Sequence, residues 1–176
     1  MLPLIPGIKK ITAFVLVVTI SFAFFNAGCG VYRFNDVSIP DSIRSIRINF
    51  IENRAPYVNP QLSASLTDRV KQKIINQTKL TSTNNENAHW VLDGSITDYS
   101  VSTSGISNKE SVMNRLTVSV NVVLNKTLSN DKEEFLITRS FEFNANSSLQ
   151  AAEGRLLDEM VRTLTDDIFN RLFSNW

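Results

Sequence analysis

Apolar residues recur along this chain with two different periods. From Ile43 to Ile51 they alternate, with Ile46, Ile48 and Phe50 on one side and Ser45, Arg47 and Asn49 on the other, the pattern of a half-buried strand. From Pro60 to Gln77 the period lengthens to four, through Leu62, Leu66, Val70 and Ile74, which predicts a helix. Asn59 is placed to cap it, and Pro60 suits the first helical position because its missing N–H would have no partner there. Asp68, Arg69, Lys71 and Lys73 fall on the other face and read as solvated. Thr81 to Asn87 is a polar linker. Alternation returns in His89 to Tyr99, where Trp90, Leu92 and Ile96 oppose Asp93, Ser95 and Thr97, and again in Val112 to Lys126. Between these strands, Ser100 to Ser111 is rich in Ser, Thr, Gly and Asn and reads as a long hairpin connection. After a turn at Leu128 to Lys132, Glu134 to Phe143 forms a fourth strand, with Arg139 out of place on its apolar face. The last segment is helical: Ser147 with Gln150 makes a capping box, and Leu149, Ala152, Leu156, Met160, Leu164, Ile168 and Leu172 form a stripe.

The order strand, helix, three strands, helix predicts an α+β two-layer sandwich. Three consecutive strands pair most simply as an antiparallel meander, and the first strand joins through its helix. Both helices must bury their stripes on one face of this four-stranded, mostly antiparallel sheet. The other face is then open and carries Ser45, Asn49, Ser95, Thr97, Thr117, Ser119, Asn121, Thr138 and Ser140. Such a face is either solvated or docks against another polar wall, such as the interior of a membrane β-barrel.

The N-terminus adds a different signal. Lys9 and Lys10 precede an apolar run from Ile11 to Phe25, and Ala27-Gly28 leads into Cys29, the sole cysteine. A basic start, an apolar segment of about 7–15 residues and a small-residue cleavage site define a secretory signal. The run is short for a spanning helix, which needs about 17–25 residues. With cysteine at the cleavage point, residues 1–28 read as a lipoprotein signal peptide, 29–42 as a lipidated tether and 43–176 as a single domain. Acyl chains on Cys29 would tie the domain to a bilayer, and more than one chain makes such anchoring stable. Asn26, three before the cysteine, departs from the usual leucine.

Charge and chemistry narrow the function. Removing two lysines leaves sixteen basic against seventeen acidic residues, and this near-neutral balance argues against a nucleic-acid partner. His89 is the one histidine and has no second histidine or free cysteine with which to share a metal. No serine has a recognisable base, and no glycine-rich phosphate loop occurs, so neither an enzyme nor a bound cofactor is expected. Asp131 to Glu134, Asp158-Glu159 and Asp166-Asp167 read as solvated acids. Lys109 and Arg115, beside the polar connection, are the cations whose chemistry suits a phosphate-bearing lipid. Trp176 reads as a packed helix end, and Asp41-Ser42-Ile43 resembles a short O-glycosylation signal at Ser42.

These segments resemble a family, the LPS-assembly lipoproteins LptE in their Bacteroidota form. The resemblance rests on Cys29 to Phe34, Phe50 to Pro56, Asn59 to Ser63, Asp93 to Tyr99 and the long terminal helix. It implies two helices on a four-stranded sheet. It also implies a partner, the outer-membrane barrel LptD, whose lumen LptE partly plugs while lipopolysaccharide passes to the surface. Of the family's functional residues only Cys29 transfers directly; Lys109 and Arg115 are candidates on chemistry alone. No acidic export signal follows Cys29, in keeping with the periplasmic face of the outer membrane. The competing class is a periplasmic lipoprotein that regulates a cell-wall synthase or serves an ABC transporter.

Overall fold

The computed structural model describes residues 39–107 and 110–174. Its elements are β1 (Ser45–Ile48), β2 (Glu52–Asn53), α1 (Pro60–Gln77), β3 (Thr81–Ser82), β4 (Trp90–Ser107), β5 (Glu110–Lys126), β6 (Asp131–Asn144) and α2 (Leu149–Phe173). The α+β class stands, with a richer sheet than the alternation predicts. Six strands form one mixed sheet in the order β3-β1-β4-β5-β6, with β2 also on β4. β4, β5 and β6 are the antiparallel meander, whereas β1 runs parallel to both β3 and β4. The polar linker after α1 thus contributes a two-residue strand.

Both helices lie on one face. Leu62, Leu66, Val70 and Ile74 of α1 and Ala152, Met160, Leu164 and Ile168 of α2 are buried with Ile46, Leu92, Ile96, Leu116, Val118, Val120, Val122 and Leu124 of the sheet. α1 begins where its sequence signals place it: the Asn59 side chain accepts from the Leu62 N–H at 3.1 Å. α2 is capped one residue later than expected. Ser148, not Ser147, accepts from the Ala151 N–H, while the Ser147 hydroxyl accepts from Arg155. Lys73 is not solvated either. It crosses to α2, reaching Asp166 at 2.6 Å and lying over the Phe169 ring.

Two one-residue insertions set which side chains face the core. Ile48 pairs with Leu92 and Glu52 with Ser95, so the β1–β2 segment uses one residue more than β4 over the same span. A single extra residue reverses every later side chain. Ile51 therefore turns inward and Phe50, expected on the apolar side, is 56% exposed. β4 has its own insertion at Thr97, because Ile96 pairs with Val120 but Asp98 with Ser119. Past it, Tyr99 is on the core face.

Tyr99 anchors the start of α2. Its hydroxyl donates to Glu153 Oε1 at 2.7 Å, and Asn59 Nδ2 donates to the same oxygen at 3.1 Å. Tyr57 stacks on the Tyr99 ring and donates to Glu153 Oε2. Burial, and then the bond to Glu153, push the Tyr99 phenol far above its ordinary value, so it is a permanent donor. One carboxylate ties both helix starts to the sheet.

The stretch Ser100 to Ser111 is not a loop. β4 runs to Ser107 and β5 resumes at Glu110, so the connection is a long two-stranded arm with Ser107 opposite Glu110. Backbone hydrogen bonds pair the two strands, while the composition, mostly Ser, Thr and Gly with only Val101 and Ile106 apolar, has no alternating stripe to mark them as strand.

Candidate functional site

The sheet face away from the helices is polar, and the strand register arranges it in rows. Ser95, Asn121 and Leu136 form one row, Asp98, Ser119 and Thr138 the next, then Ser100, Thr117 and Ser140, then Ser102, Arg115 and Glu142. Directly opposed residues have Cβ atoms about 4.5–5.5 Å apart, so short hydroxyl side chains meet across strands. Ser119 and Thr138 hydroxyls lie 2.9 Å apart, and Thr117 and Ser140 hydroxyls 3.1 Å. Asn121 donates to Glu134 at 2.8 Å. Asp93 accepts from Asn49 at 2.6 Å and from Asn125 at 3.1 Å, extending the network to the β1 side.

The expected face residues therefore do come together, but they bond chiefly to one another. Ser119 is buried, and Thr97, at the β4 insertion, directs its hydroxyl to the Ser119 carbonyl. The Asn121 amide, followed by Lys132, holds the exposed Glu134 carboxyl below the ordinary carboxylate range. Arg115 donates to Glu142 at 3.0 Å, so its charge is balanced within its own row. Lys109, Cys29 and Trp176 lie outside the described residues.

Sequence reasoning missed Leu136. It is 62% exposed at the β6 end of a polar row, opposite Asn121, and alternation from Phe135 and Ile137 already places it outward. Arg139 finds its explanation on the other face: its guanidinium spans Asp167 of α2, with Nη2 to Oδ1 at 2.8 Å. That ion pair raises the Arg139 pKa further, first through its hydrogen bond. His89 has a structural task, its Nδ1 accepting from the Arg44 N–H at 3.0 Å. Asp166, Asp167, Asp131 and Glu133 all sit in ion pairs rather than in solvent alone. Among the described residues, no cluster of three or more His, Cys, Asp and Glu side chains could hold a metal ion, and no helix is long and apolar enough to cross a membrane.

The family model "LptE: Lipopolysaccharide-assembly" matches residues 43–172, most of the chain. The chain belongs to the LptE lipopolysaccharide-assembly family. Its fold is similar to that of a putative neuraminyllactose-binding hemagglutinin homolog from Helicobacter pylori, at TM-score 0.55 and 11% identity over 76% of this chain and 84% of that one. Fainter likenesses are to rare lipoprotein B from Shewanella oneidensis (TM-score 0.40, 14% identity, 73% and 90% covered) and to a minor lipoprotein from Acinetobacter baumannii (0.44, 14%, 75% and 97%). No curated protein matches the chain. The matched LptE region starts at Ile43 and so includes the whole sheet and nearly all of α2.

Proposed function

We propose that this LptE member is a non-enzymatic lipoprotein of the outer membrane, held on its periplasmic face by acyl chains on Cys29. It forms a plug-and-barrel complex with the LptD barrel and assists insertion of lipopolysaccharide. In this reading residues 1–28 are the removed signal, 29–42 the tether and 43–176 the plug domain.

The observation that carries the reading is the polar sheet face. Thr97, Thr117, Ser119 and Asn121 present short, hydrogen-bonded side chains, and the charges beside them, Arg115 with Glu142 and Glu134 with Lys132, are paired. A surface of this kind loses little side-chain entropy on docking, and it matches the polar interior of a membrane barrel. Leu136, on the edge strand β6, gives the same face an exposed apolar contact. Hydroxyls that pair with each other, and a histidine whose Nδ1 accepts a backbone N–H, offer no activated nucleophile. Lys109 and Arg115 are the proposed lipopolysaccharide contacts; a phosphate at Arg115 must share the guanidinium with Glu142.

Photocrosslinkers at Thr117 and at Leu136 test the partner. The expected result is a covalent adduct with a large outer-membrane β-barrel from both positions. Adducts only with an inner-membrane or cell-wall enzyme would overturn the proposal in favour of the synthase or transporter reading.

A further inference from the structure

Among the described residues, the charged side chains of the polar sheet face are satisfied within the chain, with one exception. Arg115 pairs with Glu142 at 3.0 Å and Lys132 with Glu134 at 3.1 Å. Asp93 has no cation, but Asn49 and Asn125 donate to its two oxygens, and Asp98 accepts from Ser100. The exception is Arg47. It stands on β1 between Ile46 and Ile48, whose side chains pack into the core, so its own turns to the polar face. The register places it in one row with Val91, Asn125 and Lys132.

Arg47 is half-buried, and its Nε is enclosed without a hydrogen-bond partner. Among the described residues, no carboxylate comes within ion-pairing distance of its guanidinium. Two other arginines show what the same group takes where an acid is at hand. Arg54 gives Nε and Nη2 to Glu52, at 3.0 and 2.9 Å, and Arg139 spans Asp167. Asp93, two residues beyond Val91 on β4, cannot serve Arg47 in this way while both of its oxygens are taken. In the free protein, water solvates the exposed part of the Arg47 guanidinium. A wall laid on this face removes that water, and a guanidinium left there without a counter-charge is strongly unfavourable. The hydroxyl rows need nothing from a partner. Arg47 does.

We infer that the wall docking on this face carries a carboxylate opposite Arg47, and that this ion pair fixes the register of the two surfaces. The inference rests on the docking reading above and names the partner's chemistry at one point. A carboxylate takes two guanidinium N–H groups at once, and a charge pair inside an interface sets alignment as well as affinity. A phosphate-bearing lipid fits the position less well, because Val91 is buried and the row has no exposed apolar side chain to receive acyl chains. A second copy of the chain would bring Asp93, Asp98, Glu134 and Glu142 on the same face, each already bonded within its own chain.

Carbodiimide coupling tests the inference in outer membranes that hold the full-length chain. Arg47→Lys keeps the positive charge and supplies an amine, which carbodiimide joins only to a carboxylate in direct contact. A photocrosslinker at Thr117 in the same chain reports docking without reference to charge. The expected result is an amide bond from position 47 to an Asp or Glu of the same barrel that the Thr117 crosslinker captures. With Arg47→Gln, which removes the charge, the yield of the Thr117 adduct should fall about tenfold or more. Barrel adducts from Thr117 with no coupling at position 47, or with a yield that Arg47→Gln leaves unchanged, would overturn the inference and leave the docking reading standing. Absence of both adducts would overturn both. Coupling at position 47 to Asp93 of the same chain, to a second copy or to a lipopolysaccharide phosphate would also overturn it, and would name the group that Arg47 meets instead.

Discussion

Thr165 is 1% exposed at the centre of α2, and its hydroxyl has no hydrogen-bond partner among the described residues. A buried hydroxyl left unpaired costs about 1–3 kcal/mol of desolvation. Thr165→Val keeps the shape and removes that polar atom, so it should leave stability unchanged or raise it; a midpoint for denaturation by urea that falls clearly below the parent would contradict this. Glu134 carries a second residue-scale expectation. The Asn121 amide and Lys132 favour its ionised form, so its folded pKa is depressed. The associated stability is present at neutral pH and disappears as pH falls through that folded value. Asn121→Ala removes the first cause, and an NMR titration of the Glu134 carboxyl should move upward toward the ordinary range; an unchanged titration would contradict the assignment. At this scale the sequence was readable where one residue fits a local role, and less so where neighbours compete, as Ser147 and Ser148 do for the α2 cap. Asn59 was legible as a cap, because a cap is a local bond. Arg139 was not, because Asp167, which pairs with it, lies on a helix that packs against it only after folding.

At the scale of elements, α1 was legible to its ends, since apolar spacing, a capping Asn and a Pro at the first position agree. The strands were legible in existence but not in phase. Phe50 and Ile51 exchange roles because one extra residue before β2 reverses the faces, and either residue would satisfy the apolar pattern alone. Gly94 shows why the β2 approach constrains β4. A Cβ there would lie 2.9 Å from Ile51 Cγ1, a branch atom close to the backbone that has little room to move. Gly94→Ala should therefore destabilise the domain by about 1–3 kcal/mol, the range for overpacking a filled core. Equilibrium denaturation checks it, and a change near zero would mean that Ile51 repacks freely. The β4–β5 arm was illegible for a different reason. Its residues carry loop composition, and only cross-strand backbone pairing reveals it as strand.

For the whole molecule, the two-layer α+β architecture and its helix-free polar face followed from alternation and stripe spacing, while the parallel joining of β1 and the added β2 and β3 did not. Parallel partners are set by where a crossover helix returns the chain, and two-residue strands have no period to read. The face so positioned lies opposite the helices and is largely self-bonded, with Arg115 paired to Glu142 and Glu134 to Lys132. These are properties of a surface that docks as a rigid wall, and together with LptE membership over residues 43–172 they support a structural partner role in lipopolysaccharide assembly. Conditional depletion of the protein, followed by measurement of lipopolysaccharide at the cell surface, tests this most directly. Loss of surface lipopolysaccharide with its accumulation inside the envelope is the expected result. Undiminished surface lipopolysaccharide after full depletion would contradict the account.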